Sequence, residues 1–260
     1  MLFLLSPAKS LDYDTPVPKP VAKLATDPLF IDRSTELIAL MRKRSAKNVA
    51  ALMELSAALA ELNVERYAAW SPRFTPANSR PAVLAFDGDV YGGLQAQELS
   101  VADLRWAQKH VAILSGLHGV LRPLDRLQPY RLEMGTRLPN RHGADLYAYW
   151  GDTLAEHLNE RLAGARAPVV VNLASQEYFH AVRTGVLEAR VVECVFEDWK
   201  NGAYKIISFF AKRARGLMAR HAITNRVGSV AGLKTFDADG YRFEPGASTK
   251  DRLVFRRRID

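Results

Sequence analysis

The sequence predicts a mixed α/β (α+β) fold, a central mixed sheet flanked by helices with an inserted helical segment. Three observations predict it. Short apolar runs of strand length, LFLL, HVAILS, PVVVNLA and VVECVF among them, alternate with stretches of helical periodicity. Residues 26–70 carry their apolar side chains at helical spacing alone, as a helical subregion. The Asn201-Gly202 pair between VVECVFED and AYKIISFF is the strongest hairpin signal in the chain. With 260 residues, 48% hydrophobic and 25% charged, the chain can bury a sizeable core. No composition break divides it, so a single domain over 1–260 is expected.

The net charge of +8 favours an anionic partner, nucleic acid before membrane. One cysteine, Cys194, in an apolar run permits no internal disulfide and fits a reducing cytoplasm. The opening MLFLL, with no preceding basic region, is too short for a signal peptide or a membrane span and reads as a buried first strand.

After that strand, Pro7, Pro16, Pro18 and Pro20 hold the chain extended, with Lys9 just past the strand end as an anion contact or a solvated charge. Three helices follow. Leu37, Ile38, Leu40 and Met41 form one apolar stripe, and Val49, Leu52, Met53, Leu55, Leu59 and Leu62 continue it. ALMELSAALAEL can be laid on the helix-hairpin-helix pattern, with its turn at Glu54-Leu55-Ser56 and Leu55 as apolar anchor. In that pattern backbone N–H groups of the turn meet a phosphate, and Lys43 and Lys47 would assist. Glu54 and Ser56 stand where the pattern has glycines, so two ordinary packed helices with Ser56 as N-cap fit the residues as well.

Ala82 to Phe86 reads as a strand and DGDVYGGL as a loop at its end. There Asp87 is a candidate acid or base and Tyr91 a candidate stacking group, with a plain tight turn as the alternative. Ser100 and Asp103 suit a helix cap before the strand HVAILS. The turn-rich stretch 114–138 is then stiffened by Arg122-Pro123 and Gln128-Pro129. It presents Ser115, Arg122, Tyr130, Arg131 and Glu133. Asp152 is placed to cap DTLAEHLNERL, the strand PVVVNLA ends at Asn172, and SQEYFHAV turns helical from Ser175. Between Trp199 and Phe236 lie eight Lys or Arg residues and no Asp or Glu. The helix AKRARGLMAR would bury Phe210, Ala214, Leu217 and Met218 and leave Lys212, Arg213, Arg215 and Arg220 for phosphate, or as a solvated surface.

The six histidines lack metal-ligand spacing and there is no Gly-x-Ser-x-Gly elbow, so neither metal nor cofactor is expected. In a doubly covered sheet, loops at one edge converge on a ligand crevice. Lys9, Asp87, Tyr91, Ser115, Arg122, Arg131, Glu133, Asn172, Ser175, Glu177, Lys205 and Lys212 are the polar residues at expected strand ends. A desolvated Lys205 would suit Schiff-base chemistry, with Glu133 or Asp87 carrying the proton.

Six segments carry a family resemblance: LLSPAKSLDY (4–13), AFDGDVYGGL (85–94), LSGLHGVLRPLDRLQPYRLEMGT (114–136), LYAYWGD (146–152), VNLASQEYF (171–179) and YKIISFFAKRARGLMAR (204–220). In this order they resemble the YaaA peroxide-stress-resistance family. The resemblance implies a bacterial cytoplasmic protein linked to limiting free iron during peroxide stress, with a helix-hairpin-helix and a DNA-binding cleft. Two functions stand side by side. One is binding of the DNA backbone, duplex or structured, without strong sequence preference. The other is an enzyme acting on a nucleobase, a small nucleotide-like ligand or damaged DNA through a Lys/Asp/Glu pocket. A basic face for an acidic protein partner is the third.

Overall fold

The computed structural model describes residues 1–258. Eight strands make one mixed sheet: β1 (Leu2–Leu5), β2 (Val111–Ser115), β3 (Gly119–Leu121), β4 (Val169–Leu173), β5 (Arg190–Lys200), β6 (Ala203–Lys205), β7 (Arg242–Phe243) and β8 (Arg252–Arg257). Their order is β7-β8-β5-β4-β1-β2-β3, with β6 folded back on β5. The five inner strands, from β8 to β2, run parallel, and β7 and β3 close the two ends antiparallel. Every residue of β1, β2 and β4 is buried, which explains their unbroken apolar runs. At the β5–β6 turn Asn201 (φ 55°) and Gly202 (φ 80°) both take the left-handed conformation that a two-residue hairpin requires.

The topology places a crevice. From β1 the chain crosses to β2, whereas from β4 it crosses to β5 on the other side. Neighbouring strands whose crossovers leave in opposite directions open a gap beyond their carboxyl ends. Ser6 and Ser175 stand there.

The helical subregion forms as expected, with helices Ile31–Arg42, Ala46–Met53 and Ala57–Ala69. Between the last two, Glu54 closes the first helix in the left-handed region (φ 53°). The hydroxyl of Ser56 accepts from Leu59 N at 3.4 Å to start the second. The inner face of Ala57–Ala69 is Ala60, Asn63 and Tyr67, so Leu59 and Leu62 do not continue the buried stripe and stay 41% and 39% exposed. Tyr67 prevails because its ring packs in the core while its hydroxyl donates to the Arg131 carbonyl.

Local structure departs from expectation in four places. Ala82–Ala85 is one helical turn, because the Ala82 and Val83 amides donate sideways to the Asp125 and Pro123 carbonyls; only Phe86–Asp87 is strand. DGDVYGGL is mostly helix, Asp89–Leu94. Its glycines serve helix packing: a Cβ on Gly93 would lie 2.2 Å from the Arg213 carbonyl oxygen, and one on Gly216 1.8 Å from that of Val90. AYKIISFF leaves the sheet after Lys205, and Ser208 opens a 17-residue helix, Ser208–Thr224. Asp152 makes no side-chain cap; its carboxylate binds Arg183 at 2.9 Å, and Asp145 caps the preceding helix Leu146–Trp150.

The stretch 114–138 is largely scaffold. Buried Asp125 accepts from the Arg122 side chain and from Thr26, and the Gln128 amide exchanges two hydrogen bonds with the Ser71 backbone. Ser115 pairs with the Tyr130 hydroxyl at 2.7 Å, and both are buried. His118 is fully buried, with Nδ1 2.9 Å from the Ser34 hydroxyl, and burial pushes its pKa down to about 3.

Two predictions follow from this packing. Gly216→Ala must separate two helix backbones and should lower stability by about 3 kcal/mol. Gly228→Ala, whose nearest neighbour would be 4.0 Å away, is the control; equal urea midpoints for the two variants would refute the close approach. His118 titrates near 6.5 when unfolded and near 3 when native, so between those values the unfolded chain binds the proton and the native chain does not. Stability should therefore fall as pH drops from 6.5 toward 3, by up to about 1.4 kcal/mol per unit. The slope should flatten in His118→Gln, measured by urea unfolding across pH.

Candidate functional site

A cleft of about 430 Å³ opens beyond the ends of β1 and β4. Its floor is knotted at Ser6. The Ser6 hydroxyl accepts from Ser175 N at 2.8 Å, and its carbonyl accepts from the Tyr91 hydroxyl at 3.1 Å. Ser6 to Ser10 form one wall and Asp87 to Val90 another; Ser175, Glu177 and Tyr178 form a third, and the long helix adds Lys212 and Arg215. A side recess brings in Tyr130 to Glu133, which share Lys9 with the main cleft.

The charges around the cleft are mixed. Lys9 Nζ lies 2.8 Å from Glu133 Oε2, and Arg131 holds the other oxygen of Glu133 at 2.9 Å. Glu177 accepts from the Gly135 amide at 3.0 Å. Lys212 is exposed and Arg215 half-buried. Neither has a hydrogen bond or ion pair with any described residue. Burial lowers the Arg215 pKa and the nearby Glu193 carboxylate opposes the shift. Three cations, Lys9, Lys212 and Arg215, thus face three carboxylates, Asp87, Asp89 and Glu177. The arrangement can hold a phosphate at the long helix and accept hydrogen bonds from a polar ligand at the carboxylates.

Of the residues that the sequence nominates, Lys9, Asp87, Ser175, Glu177, Lys212 and Arg215 meet in the cleft, with Arg131 and Glu133 at its rim. Four others support it from beneath. Tyr91 is 5% exposed with its ring against Phe86, so it is no stacking surface; burial raises its pKa and that of Tyr130, keeping both hydroxyls protonated. Ser115 holds Tyr130, and Asn172 accepts from Ala174 N at 2.9 Å. Arg122 stands at the opposite edge of the sheet, bound to Asp125. Lys205 is exposed on the β5–β6 hairpin, outside the cleft lining, without the desolvation that a Schiff-base lysine needs.

Lys43 and Lys47 are exposed on the helical subregion, Leu55 is partly buried against the core, and Ser56 caps its helix. The remaining basic residues of the long helix have acid partners that are distant in sequence: Arg213 binds Asp239 at 3.1 Å and Arg220 binds Glu98 at 3.0 Å. Ser6, Ser10, Asp89 and Tyr178 belong to the site and were not nominated; their signal was adjacency to Lys9, Asp87 and Glu177 in the same strand-end segments.

Among the described residues no group of three or more His, Cys, Asp or Glu side chains is placed to hold a metal ion, and no helix is long and apolar enough to cross a membrane. Cys194 is 3% exposed, and burial pushes its thiol pKa up. It should therefore resist both dithionitrobenzoate and peroxide in the native protein and react in urea, as read by thiol titration and intact mass. Rapid native labelling would contradict its sealed position.

Comparison with known proteins places the chain in a lineage. A family model described as peroxide stress protein YaaA matches residues 1–247. A UPF0246 protein of Bordetella petrii is 65% identical over 258 residues, covering 99% of this chain and all of its own. One from Paracidovorax citrulli is 66% identical over 258 residues, covering 99% of each chain. One from Methylibium petroleiphilum is 65% identical over 259 residues, covering the whole of both chains.

Proposed function

The chain belongs to the peroxide stress protein YaaA family, and from that premise we propose that it is a cytoplasmic DNA-binding protein of the peroxide response. It grips the DNA backbone at the switch-point cleft and at the helical hairpin. The observation that carries this reading is the pair Lys212 and Arg215. On a helix whose Arg213 and Arg220 are tied to carboxylates and carbonyls, these two are left at the cleft without protein partners. They suit phosphate oxygens, which position a protein on DNA without reading sequence. The Ser56-capped start of Ala57–Ala69, with Lys43 and Lys47 beside it, offers a second phosphate contact. Exposed Glu54 at the turn weakens it. Covering DNA lowers iron-driven damage without the protein holding iron, which links the fold to the limitation of free-iron injury.

Fluorescence anisotropy with a short duplex across a salt series tests the reading. The logarithm of affinity should fall linearly with the logarithm of salt concentration. Lys212→Glu with Arg215→Glu should weaken binding by at least about tenfold and reduce the salt slope by about one per lost contact. Lys43→Glu with Lys47→Glu should have the smaller effect. A flat salt response, or unchanged affinity in the cleft variant, would sink the proposal.

A second reading, an enzyme acting on a nucleobase, nucleotide or damaged DNA, is favoured by one observation. Every residue lining the main cleft comes from the segments that carry the family resemblance, whereas the helical hairpin lies outside them. Here Asp87 and Asp89 would do acid–base work while Lys212 and Arg215 hold phosphate. Asp87→Asn should then abolish product formation from a nucleotide or damaged-DNA panel, read by chromatography, and leave duplex affinity in place. No product from the native protein across that panel would discard this reading.

A further inference from the structure

The long helix carries a row of side chains that runs from open solvent into the cleft. Phe209, Lys212 and Arg215 are spaced three residues apart, and such residues form one ridge on a helix surface. Phe209 at the outer end is 56% exposed and Ile206, three residues earlier, 55%, the two most exposed large apolar side chains among the described residues. Phe209 lies one helical turn before the cleft-lining Lys212; its ring meets Phe210, with centroids 4.1 Å apart, and the core closes without it. Inward along the ridge come the two cations without protein partners, and beyond them the Asp87 and Asp89 walls.

The dimensions and charges select the occupant. A volume of about 430 Å³ lies within the range of small-ligand sites, about 300–1,000 Å³, and admits a nucleotide but not a double helix. An aromatic face followed by cations suits a base followed by its phosphates. Carboxylates accept hydrogen bonds from the amino groups of bases, as in the pairing of Asp or Glu with cytosine N4.

We propose that the cleft takes an unpaired nucleotide of a DNA strand, with Phe209 stacking on a base at the entrance while Lys212 and Arg215 hold the adjoining phosphates. This deepens the DNA-binding reading and rests on it. Duplex gripped at the cleft mouth and at the helical hairpin would feed a frayed or single-stranded end along the ridge. The carboxylate walls would meet the base that enters.

The test compares three probes by anisotropy at one salt concentration: a blunt duplex, the same duplex with a short oligothymidine tail, and the free tail. Wild type should bind the tailed duplex about tenfold more tightly than the blunt one. Phe209→Ala should erase that gain and leave blunt-duplex affinity unchanged, and Phe209→Tyr, which keeps an aromatic face, should retain it. Phe209 is on the surface, so these variants fold, and urea midpoints equal to wild type check this. A tail that adds nothing, or a gain that survives Phe209→Ala, overturns the stacking proposal and leaves duplex binding standing. Absence of binding to all three probes overturns both. If Phe209→Ala instead changes sedimentation or vesicle pelleting while the tail gain persists, the residue belongs to a protein or lipid contact and the proposal falls.

Discussion

Two helix backbones meet at Gly93 and Gly216 with no room for a single added carbon, and the geometry of the cleft depends on that contact. The short helix Asp89–Leu94 is secured by more than packing. Arg213 donates to the Gly92 carbonyl, and Arg220 donates to those of Leu94 and Gln95, so the long helix satisfies the carbonyls that a helix end leaves without partners. Its rotation about its own axis is thereby set. Lys212 and Arg215 lie on the side turned to the cleft, and Asp87 to Val90, held by the same contact, form the facing wall. Ser6 completes the arrangement by binding Ser175 on one side and Tyr91 on the other.

The positive charge of the chain acquires a different meaning in the folded molecule. Beyond Arg213 and Arg220, Arg226 reaches Asp103 at 2.7 Å, while Arg256 and Arg257 bind Glu197 and Asp198 across the β8–β5 pairing. These five cations of the C-terminal third thus act as struts between elements. What remains at the cleft is a local separation of charge, in which two free cations stand near two free carboxylates. Such a site attracts a ligand that is itself divided into an anionic part and a hydrogen-bond-donating part. A smooth positive groove would not discriminate in that way.

How much of this was legible in the sequence differs by kind of interaction. The buried strands were plain, since residues covered on both faces leave an unbroken apolar signature. The Asn201-Gly202 hairpin and the Ser100–Asp103 capping box were equally plain, because local backbone chemistry decides them. Lys9, Asp87, Ser175, Glu177, Lys212 and Arg215 were found as polar residues at strand ends or on a basic helix. Partners remote in the chain were out of reach. The acids that bind Arg213 and Arg220 come from Asp239 and Glu98, and the amides of Ala82 and Val83 are claimed by a loop some forty residues on, turning an apparent strand into a helical turn. The glycines of DGDVYGGL read as a loop because a tight turn and a close approach of two helix backbones select the same residue.

The sealed Cys194 has a bearing on regulation. One device open to a member of a peroxide stress protein family is its own trip-wire, a thiol whose oxidation tells it when to act. Here the single sulfur sits inside β5, shut off from solvent and held in its unreactive protonated form. In the folded chain the one thiol is therefore no sensor of oxidant.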